Sequence, residues 1–397
     1  MIHDRWKAAN IGSMAAIAGL WAVPLSIAVT ETLLSIALVM RVSDLLRGRM
    51  LGIPRVCWLW LGWAGVEVVS WLCSQQPKAG WGEMRHLLLI ASVFLVLPSL
   101  NFPGGRMAAW RGILITSTVG SAALLINTVV RMIHYRTEIS AGGDAAFLLR
   151  NGGFLHHWMI YATVEVLVFG ALLEFRFLYP EERRWATPAF CIHSVAALFS
   201  LTRILWIACF LLAGFHLRWR RSKWIFALPV VAIAGFLLAP GSVRSRVIDS
   251  SQADYYSNAE RVQMWRVGWK MIREHPLVGV GAGRVEELYT SYLLKDNAVP
   301  AYHGHLHNNA IQLAAQFGLP VLGAALVWLA ILLRDLYRRY RGAEDREERF
   351  LCRSALLGVV GFLVAGMTDY TYGHALGLIL FSFVAVVPLL NARPIRT

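Results

Sequence analysis

Three histidines at alternate positions, His303, His305 and His307, open the stretch Tyr302–Pro320, YHGHLHNNAIQLAAQFGLP. An imidazole changes charge close to neutral pH, so it can take a proton and give it back. A short helix is expected directly after these rings. Asn308 or Asn309 can cap it, Ile311, Leu313, Ala314 and Ala315 supply apolar positions, and Gly318-Leu319-Pro320 stops it. A titratable ring ahead of a helix N-terminus suits proton transfer, and His307, with His305 second, is the candidate base. His303 and Asn308 support them. A hydrogen-bonded structural histidine is the plainer alternative for any one ring. Alternation would put all three on one side of an extended segment, as a metal site requires. No carboxylate or cysteine nearby in the sequence completes a ligand set, so no metal and no other cofactor is expected.

Arginine is the second residue type that could carry chemistry. Arg203 closes Ser200-Leu201-Thr202-Arg203 between two apolar runs, where a guanidinium is costly and needs a partner or a task. Arg261 and Trp265 are four apart, on one face of an expected helix over 258–274. There Val262, Trp265, Trp269 and Ile272 form an apolar stripe. Arg150, in Leu149-Arg150-Asn151-Gly152-Gly153-Phe154, and Arg85 are weaker candidates. Guanidinium stays charged and binds phosphate bidentately. The bland readings are an interfacial anchor and an arginine stacked over an indole. His156 and His157 could line a cavity, although interfacial packing is the reading taken. Gly279-Val280-Gly281-Ala282-Gly283 lacks a preceding strand and a Lys-Ser/Thr, so it is read as a chain reversal and not a nucleotide loop. No obvious acidic pair for glycosidase-type chemistry, no Gly-x-Ser-x-Gly and no DxD-like cluster for a metal-bound nucleotide sugar is read in the sequence.

The elements that must position these groups are membrane helices. With 57% hydrophobic and 16% charged residues and a mean hydropathy of +0.53, the chain is far from the roughly one-quarter charged composition of soluble domains. Taking about 20 apolar residues per span, about twelve transmembrane helices are expected, near 11–28, 30–46, 56–73, 84–99, 109–132, 155–176, 185–201, 203–218, 224–240, 319–338, 351–368 and 374–391. The fold class is therefore all-α, one polytopic transmembrane domain over 1–397. A large loop with short amphipathic helices, 241–318, lies between the ninth and tenth spans. No cleaved leader is expected at the N-terminus.

Clusters such as Arg47/Arg49/Arg55, Arg218/Arg220/Arg221 and Arg338/Arg339/Arg341 all fall on one side if both termini are cytoplasmic. That retention, not nucleic-acid binding, accounts for the net charge of +14. The 241–318 loop then faces the other side, periplasm or cell exterior, and the arginines on that side need another explanation. The anion they could meet there is a lipid pyrophosphate. The five cysteines show no metal-ligand spacing and are expected as free, buried thiols.

With these residues in place, the chain resembles the O-antigen ligase and O-antigen polymerase superfamily. The resemblance rests on the Ser-Leu-Thr-Arg203 turn, on Arg261-x-x-x-Trp265 followed by His275-Pro276-Leu-Val-Gly279-Val-Gly281, and on His307-Asn308 followed by Leu313-Ala-Ala-x-x-Gly318-Leu-Pro320. Thr202 stands where the family more often has Ser before the arginine. The resemblance implies a GT-C-like, metal-independent glycosyltransferase in the bacterial inner membrane with its site facing the periplasm. It would move a glycan from undecaprenyl pyrophosphate to a sugar of lipid A–core (a ligase) or to another lipid-linked glycan (a polymerase). Ligase is preferred for the His-Asn helix motif and the compact length. A lipid-linked oligosaccharide transporter and a structural membrane subunit are the rivals. The implied partners are the two lipid-linked glycans and membrane lipids, and the oligomeric state stays open.

Overall fold

The computed structural model describes residues 10–49, 52–251, 256–294 and 304–390, and among these the fold is all helical. The first part runs through α1 (Ile11–Ala22), α2 (Ile27–Leu46), α3 (Arg55–Leu72), α4 (Arg85–Val96) and α5 (Gly105–His134). Short α6 (Arg136–Ser140) and α7 (Ala145–Leu149) lead to α8 (Trp158–Leu178), α9 (Arg183–Phe199), α10 (Arg203–Trp219) and α11 (Leu228–Leu238). Then come α12 (Gly241–Ser251), α13 (Tyr256–Glu274), α14 (Arg284–Leu294) and α15 (Asn309–Phe317). The chain closes with α16 (Leu319–Arg341), α17 (Arg346–Ala365) and α18 (Ala375–Val386).

Each of the twelve apolar segments holds a helix, but their lengths differ. By length and composition α5, α8 and α16 are sufficient to cross a membrane. Lys223–Leu238 with Gly241–Ile248 adds a fourth only as one span bent by 118°. Helices α1, α4 and α18 are apolar but of 12 residues each, below the ~20 that a hydrocarbon core asks for. Pro98 and Pro388 turn the ends of α4 and α18 into 3₁₀ helix, because proline lacks the amide that would continue the α ladder.

The almost wholly buried α8 is the axis of the bundle, packed along α17 and also against α9, α10 and α18. The charges it carries inward are paired, as burial demands. Glu165 meets His193 at 2.8 Å, and Glu174 meets both Arg353 at 2.8 Å and His216 at 2.7 Å. At the Leu178 end of α8, Arg111–Glu182 (2.6 Å), Arg346–Glu181 (2.7 Å) and Arg106–Glu347 (3.0 Å) tie three turns together. The chemistry-bearing residues gather at the opposite end. The five cysteines are free, with Cys57 and Cys352 buried as expected and Cys73 and Cys191 exposed.

Helices α13 to α15 share a smaller core built on Met264, Val267, Met271, Tyr289, Leu293 and Leu306. The buried face of α13 is rotated from the expected stripe: Ile272 is buried and Trp265 half-buried as expected, but Val262 and Trp269 are exposed, while Met264, Val267 and Met271 are buried. The reason is the partner. Gly268 lies so close to α15 that a Cβ there would sit 2.5 Å from Ile311 Cγ2, and this contact sets the rotation of α13. The Gly279–Gly283 segment crosses the end of α15, with Val280 N donating to Ala315 O at 2.8 Å and Gly281 N to Gln316 O at 3.0 Å.

The α15–α16 junction turns on Gly318, whose φ of +88° and ψ of 168° are a conformation that only glycine adopts without strain. A Cβ there would meet Leu277 O at 2.3 Å. Gly318→Ala is expected to lower stability by about 1–3 kcal/mol and the unfolding midpoint with it, read by thermal melting of the detergent-solubilised protein. An unchanged midpoint would remove this junction from the structure's constraints.

Candidate functional site

Arg203 is the first residue of α10, placed by a sharp turn in which Leu201 takes a φ of +53°. Its Nη1 donates to Asn258 Oδ1 at 2.6 Å and its Nη2 to Ser257 Oγ at 2.8 Å, so the α9–α10 turn grips the first turn of α13. Arg261 lies one helical turn further along α13. Its Nε donates to Thr368 O and its Nη1 to Ser257 O, both at 3.2 Å. Arg150 follows α7 and lies over the Trp158 ring, 5.0 Å from its centroid. Arg246 on α12 is buried. These four arginines line one cavity of about 510 Å³, with Trp158, Trp265 and Asp369 also in its wall. Among the described residues of the wall four arginines stand with one carboxylate, and apolar walls strengthen the attraction of such a lining for an anion. Phosphate oxygens fit such a lining best.

Asp369 is the link from the arginines to the histidines. His307 Nδ1 lies 3.5 Å from Asp369 Oδ1, and His374 Nδ1 lies 4.0 Å from Asp369 Oδ2. The rings of His305 and His307 stand edge to face, 4.2 Å apart. His307 is held at a φ of +48°, a region that non-glycine residues occupy only when their surroundings enforce it. The enforcement is visible on both sides. Leu306 N donates to Gln312 Oε1 at 2.8 Å, and Asn308 Oδ1 caps α15 by accepting from Ile311 N at 3.0 Å. Asn308 Nδ2 also donates to Met367 O at 2.9 Å, and Asn309 binds Thr371 Oγ1 at 2.7 Å and Gly366 O at 2.8 Å. The two asparagines thus fix the 366–372 turn, and Asp369 within it, against the histidine segment.

Burial and the neighbouring His307 push the pKa of His305 down to about 4, so the ring is neutral at physiological pH. Burial alone would raise Asp369, but the His307 contact and the charges of His374 and His307 outweigh it and bring the carboxyl below its ordinary value. A carboxylate kept ionised beside imidazoles is the arrangement that orients a base and stabilises its protonated form.

Of the residues singled out in the sequence, Arg203, Arg261, Arg150 and Trp265 line one cavity, and His307 and His305 stand at its Asp369 edge. Asn308 lies beside them as a cap and clamp. Arg85 does not join them. It is exposed at the start of α4, and its Nε folds back to Gly82 O at 2.9 Å, because the turn before α4 packs away from the arginine cavity. His303 lies outside the described residues. Asp369, His374 and Arg246 were missed. The only sequence signal for Asp369 was a lone acid in a short turn on the same side as the histidines. Its position also corrects the expectation that no carboxylate completes a ligand set. One donor atom each from His305, His307 and Asp369 lies within 4.8 Å of the others, two imidazoles and a carboxylate that could hold a divalent transition metal.

Comparison with known proteins agrees with the resemblance read from the motifs. The family model described as O-antigen ligase matches residues 188–327, about a third of the chain. That segment contains Arg203, Arg261, Trp265, His305 and His307, while Arg150 and Asp369 lie outside it. The chain is also 26% identical over 112 residues to the teichuronic acid biosynthesis protein TuaE of Bacillus subtilis (strain 168). The match covers 28% of this chain and 22% of that protein.

The His305 shift carries a signed pH dependence. A ring whose pKa is lower folded than unfolded binds protons more readily in the unfolded chain, so stability falls as pH drops below the unfolded value of 6.5. For His305 the loss is complete near pH 4. The melting temperature of the solubilised protein is expected to decline between these values, and His305→Gln to flatten part of the decline. An identical slope in the variant would count against a neutral, buried His305.

Proposed function

We propose that this protein transfers a glycan from a polyprenyl pyrophosphate to a sugar hydroxyl, as an O-antigen ligase acting between undecaprenyl pyrophosphate-linked O-antigen and lipid A–core. The reading includes a bacterial inner-membrane protein with twelve crossings in a GT-C-like arrangement. Both termini are cytoplasmic, and region 241–318 is a periplasmic subdomain of the single domain. The observation that carries it is the juxtaposition of an arginine-lined cavity with an Asp369–His307 pair at its edge.

In the proposed step the acceptor oxygen attacks the anomeric carbon and the bond from that carbon to the pyrophosphate oxygen breaks, with inversion. The acceptor proton passes to His307, or to His305, and Asp369 stabilises the imidazolium. The leaving pyrophosphate gains negative charge, which Arg203, Arg261 and Arg150 offset from fixed positions. Preorganised cations in a partly dehydrated cavity can supply several kcal/mol, so the chemistry needs no metal.

The test is turnover by the purified full-length protein with a polyprenyl pyrophosphate-linked donor. His307→Ala is expected to lower the rate about 10²–10⁴-fold while the donor still binds, and excess chelator is expected to leave wild-type turnover unchanged. Unimpaired function in His307→Ala would favour a transporter. Loss with chelator, restored by a divalent ion, would assign the His305–His307–Asp369 set to a metal. The polymerase reading uses the same step with a lipid-linked acceptor, and the likeness to a protein named for biosynthesis of another polymer leaves it open. A deletion strain separates the two: the ligase reading expects full-length lipid-linked polymer absent from lipid A–core, and shortened chains would favour the polymerase.

A further inference from the structure

A second cavity lies on the other side of the histidine segment, and its chemistry is opposite to the first. It measures about 210 Å³ and is walled by Glu83, Glu286, Gln312, Gln316 and Tyr370, together with His305 and His374. No arginine or lysine is among its lining residues that the structure describes. The two cavities share one thin partition. Asp369 lines the arginine cavity and the next residue, Tyr370, lines the polar one. Thr163, in the wall of the first, has its Oγ1 3.2 Å from Nδ1 of His374, in the wall of the second. The wall between them therefore includes Asp369 and His305, two groups of the proposed step, with His374 beside them.

We infer that this polar cavity is a sugar subsite selective for an uncharged or amino-bearing pyranose, and that it holds the acceptor glycan at the histidine edge of the arginine cavity. The name acceptor rests on the transferase reading; the sugar selectivity does not. Carboxylates and carboxamides are the side chains that pair with hydroxyl groups, since they offer acceptors and, in glutamine, donors as well. Glu83 and Glu286 are exposed at the cavity and able to meet a sugar from solution, whereas Gln312 and Gln316 are buried. Gln312 Nε2 donates to Gln316 Oε1 at 2.9 Å, and Gln312 Oε1 accepts from Leu306 N at 2.8 Å, so the amides that line the cavity also fix the segment carrying His305 and His307. The Tyr370 phenol is kept protonated, its pKa raised well above the ordinary value by burial and by the charges of Glu83 and Glu67. A phosphorylated or carboxylated sugar would bring its charge against two carboxylates with no arginine or lysine among the described residues of the wall, and is disfavoured by that repulsion. The four arginines and the two glutamates thus sort the substrates by charge, anion to one side and hydroxyls to the other.

The experiment uses the full-length protein in nanodiscs, without donor, and saturation-transfer NMR with three probes: methyl glucoside, methyl glucosaminide and methyl glucuronide. The neutral and amino glycosides are expected to give signal and the uronide none. In the Glu83→Gln/Glu286→Gln variant, whose exposed changes leave the fold intact, the uronide is expected to bind and the amino glycoside to lose its preference. In the transfer assay the same variant is expected to raise the acceptor KM about tenfold or more, from loss of hydrogen bonds to charged groups, with the donor KM unchanged. Absence of glycoside binding, equal binding of all three probes to wild type, or selectivity unaltered by the double variant would each overturn the subsite. Those outcomes leave the transferase reading standing. Charge selectivity without transfer would keep the subsite and discard the transferase.

Discussion

The arrangement depends on one contact: two consecutive asparagines at the start of α15 holding the turn between α17 and α18. Asn308 spends its oxygen capping its own helix and its amide on Met367 O. Asn309 uses both ends of its side chain and its backbone amide on Thr371, Tyr372 and Gly366. Without this clamp Asp369 would have no fixed distance to His307, and the left-handed backbone of His307 would have nothing to maintain it. The clamp also accounts for how residues more than sixty positions apart behave as one site.

The distribution of charge follows from the surroundings each group must survive. Inside the bundle, Glu165 and Glu174 are neutralised by groups in direct contact, because an uncompensated charge there is prohibitive. At the Leu178 end, the arginines of three turns meet glutamates across those turns. Among the described residues, the lining of the cavity at the opposite end runs to one sign, and there Arg203 and Arg261 are oriented by hydrogen bonds to Asn258, Ser257 and the Thr368 carbonyl. The polar cavity beyond the histidines shows the converse choice, with carboxylates and amides and no arginine or lysine among its described lining residues.

Much of this was legible from residue order because it follows from local physics. Apolar runs located a helix in each of twelve segments, since hydrocarbon-compatible stretches satisfy their backbones internally. The helix after His307 was readable from an asparagine cap and a Gly-Leu-Pro stop, signals carried by neighbouring residues. Arg203 stood out because a guanidinium between two apolar runs is anomalous whatever the fold. The face that α13 buries was misread, because the stripe of Val262 and Trp269 is a fair apolar face in isolation and only the close approach at Gly268 selects another.

What the sequence determined by itself was the inventory: helices, an arginine-rich side and an imidazole segment beside a capped helix, all encoded within a few residues of one another. What only the tertiary structure decided was the company those groups keep. Asp369 and Arg246 enter, Arg85 leaves, and two cavities of opposite character come to share one wall. These outcomes rest on contacts between residues far apart in the chain, set by how α8, α13, α15 and α17 pack. A linear pattern carries no distance for such pairs.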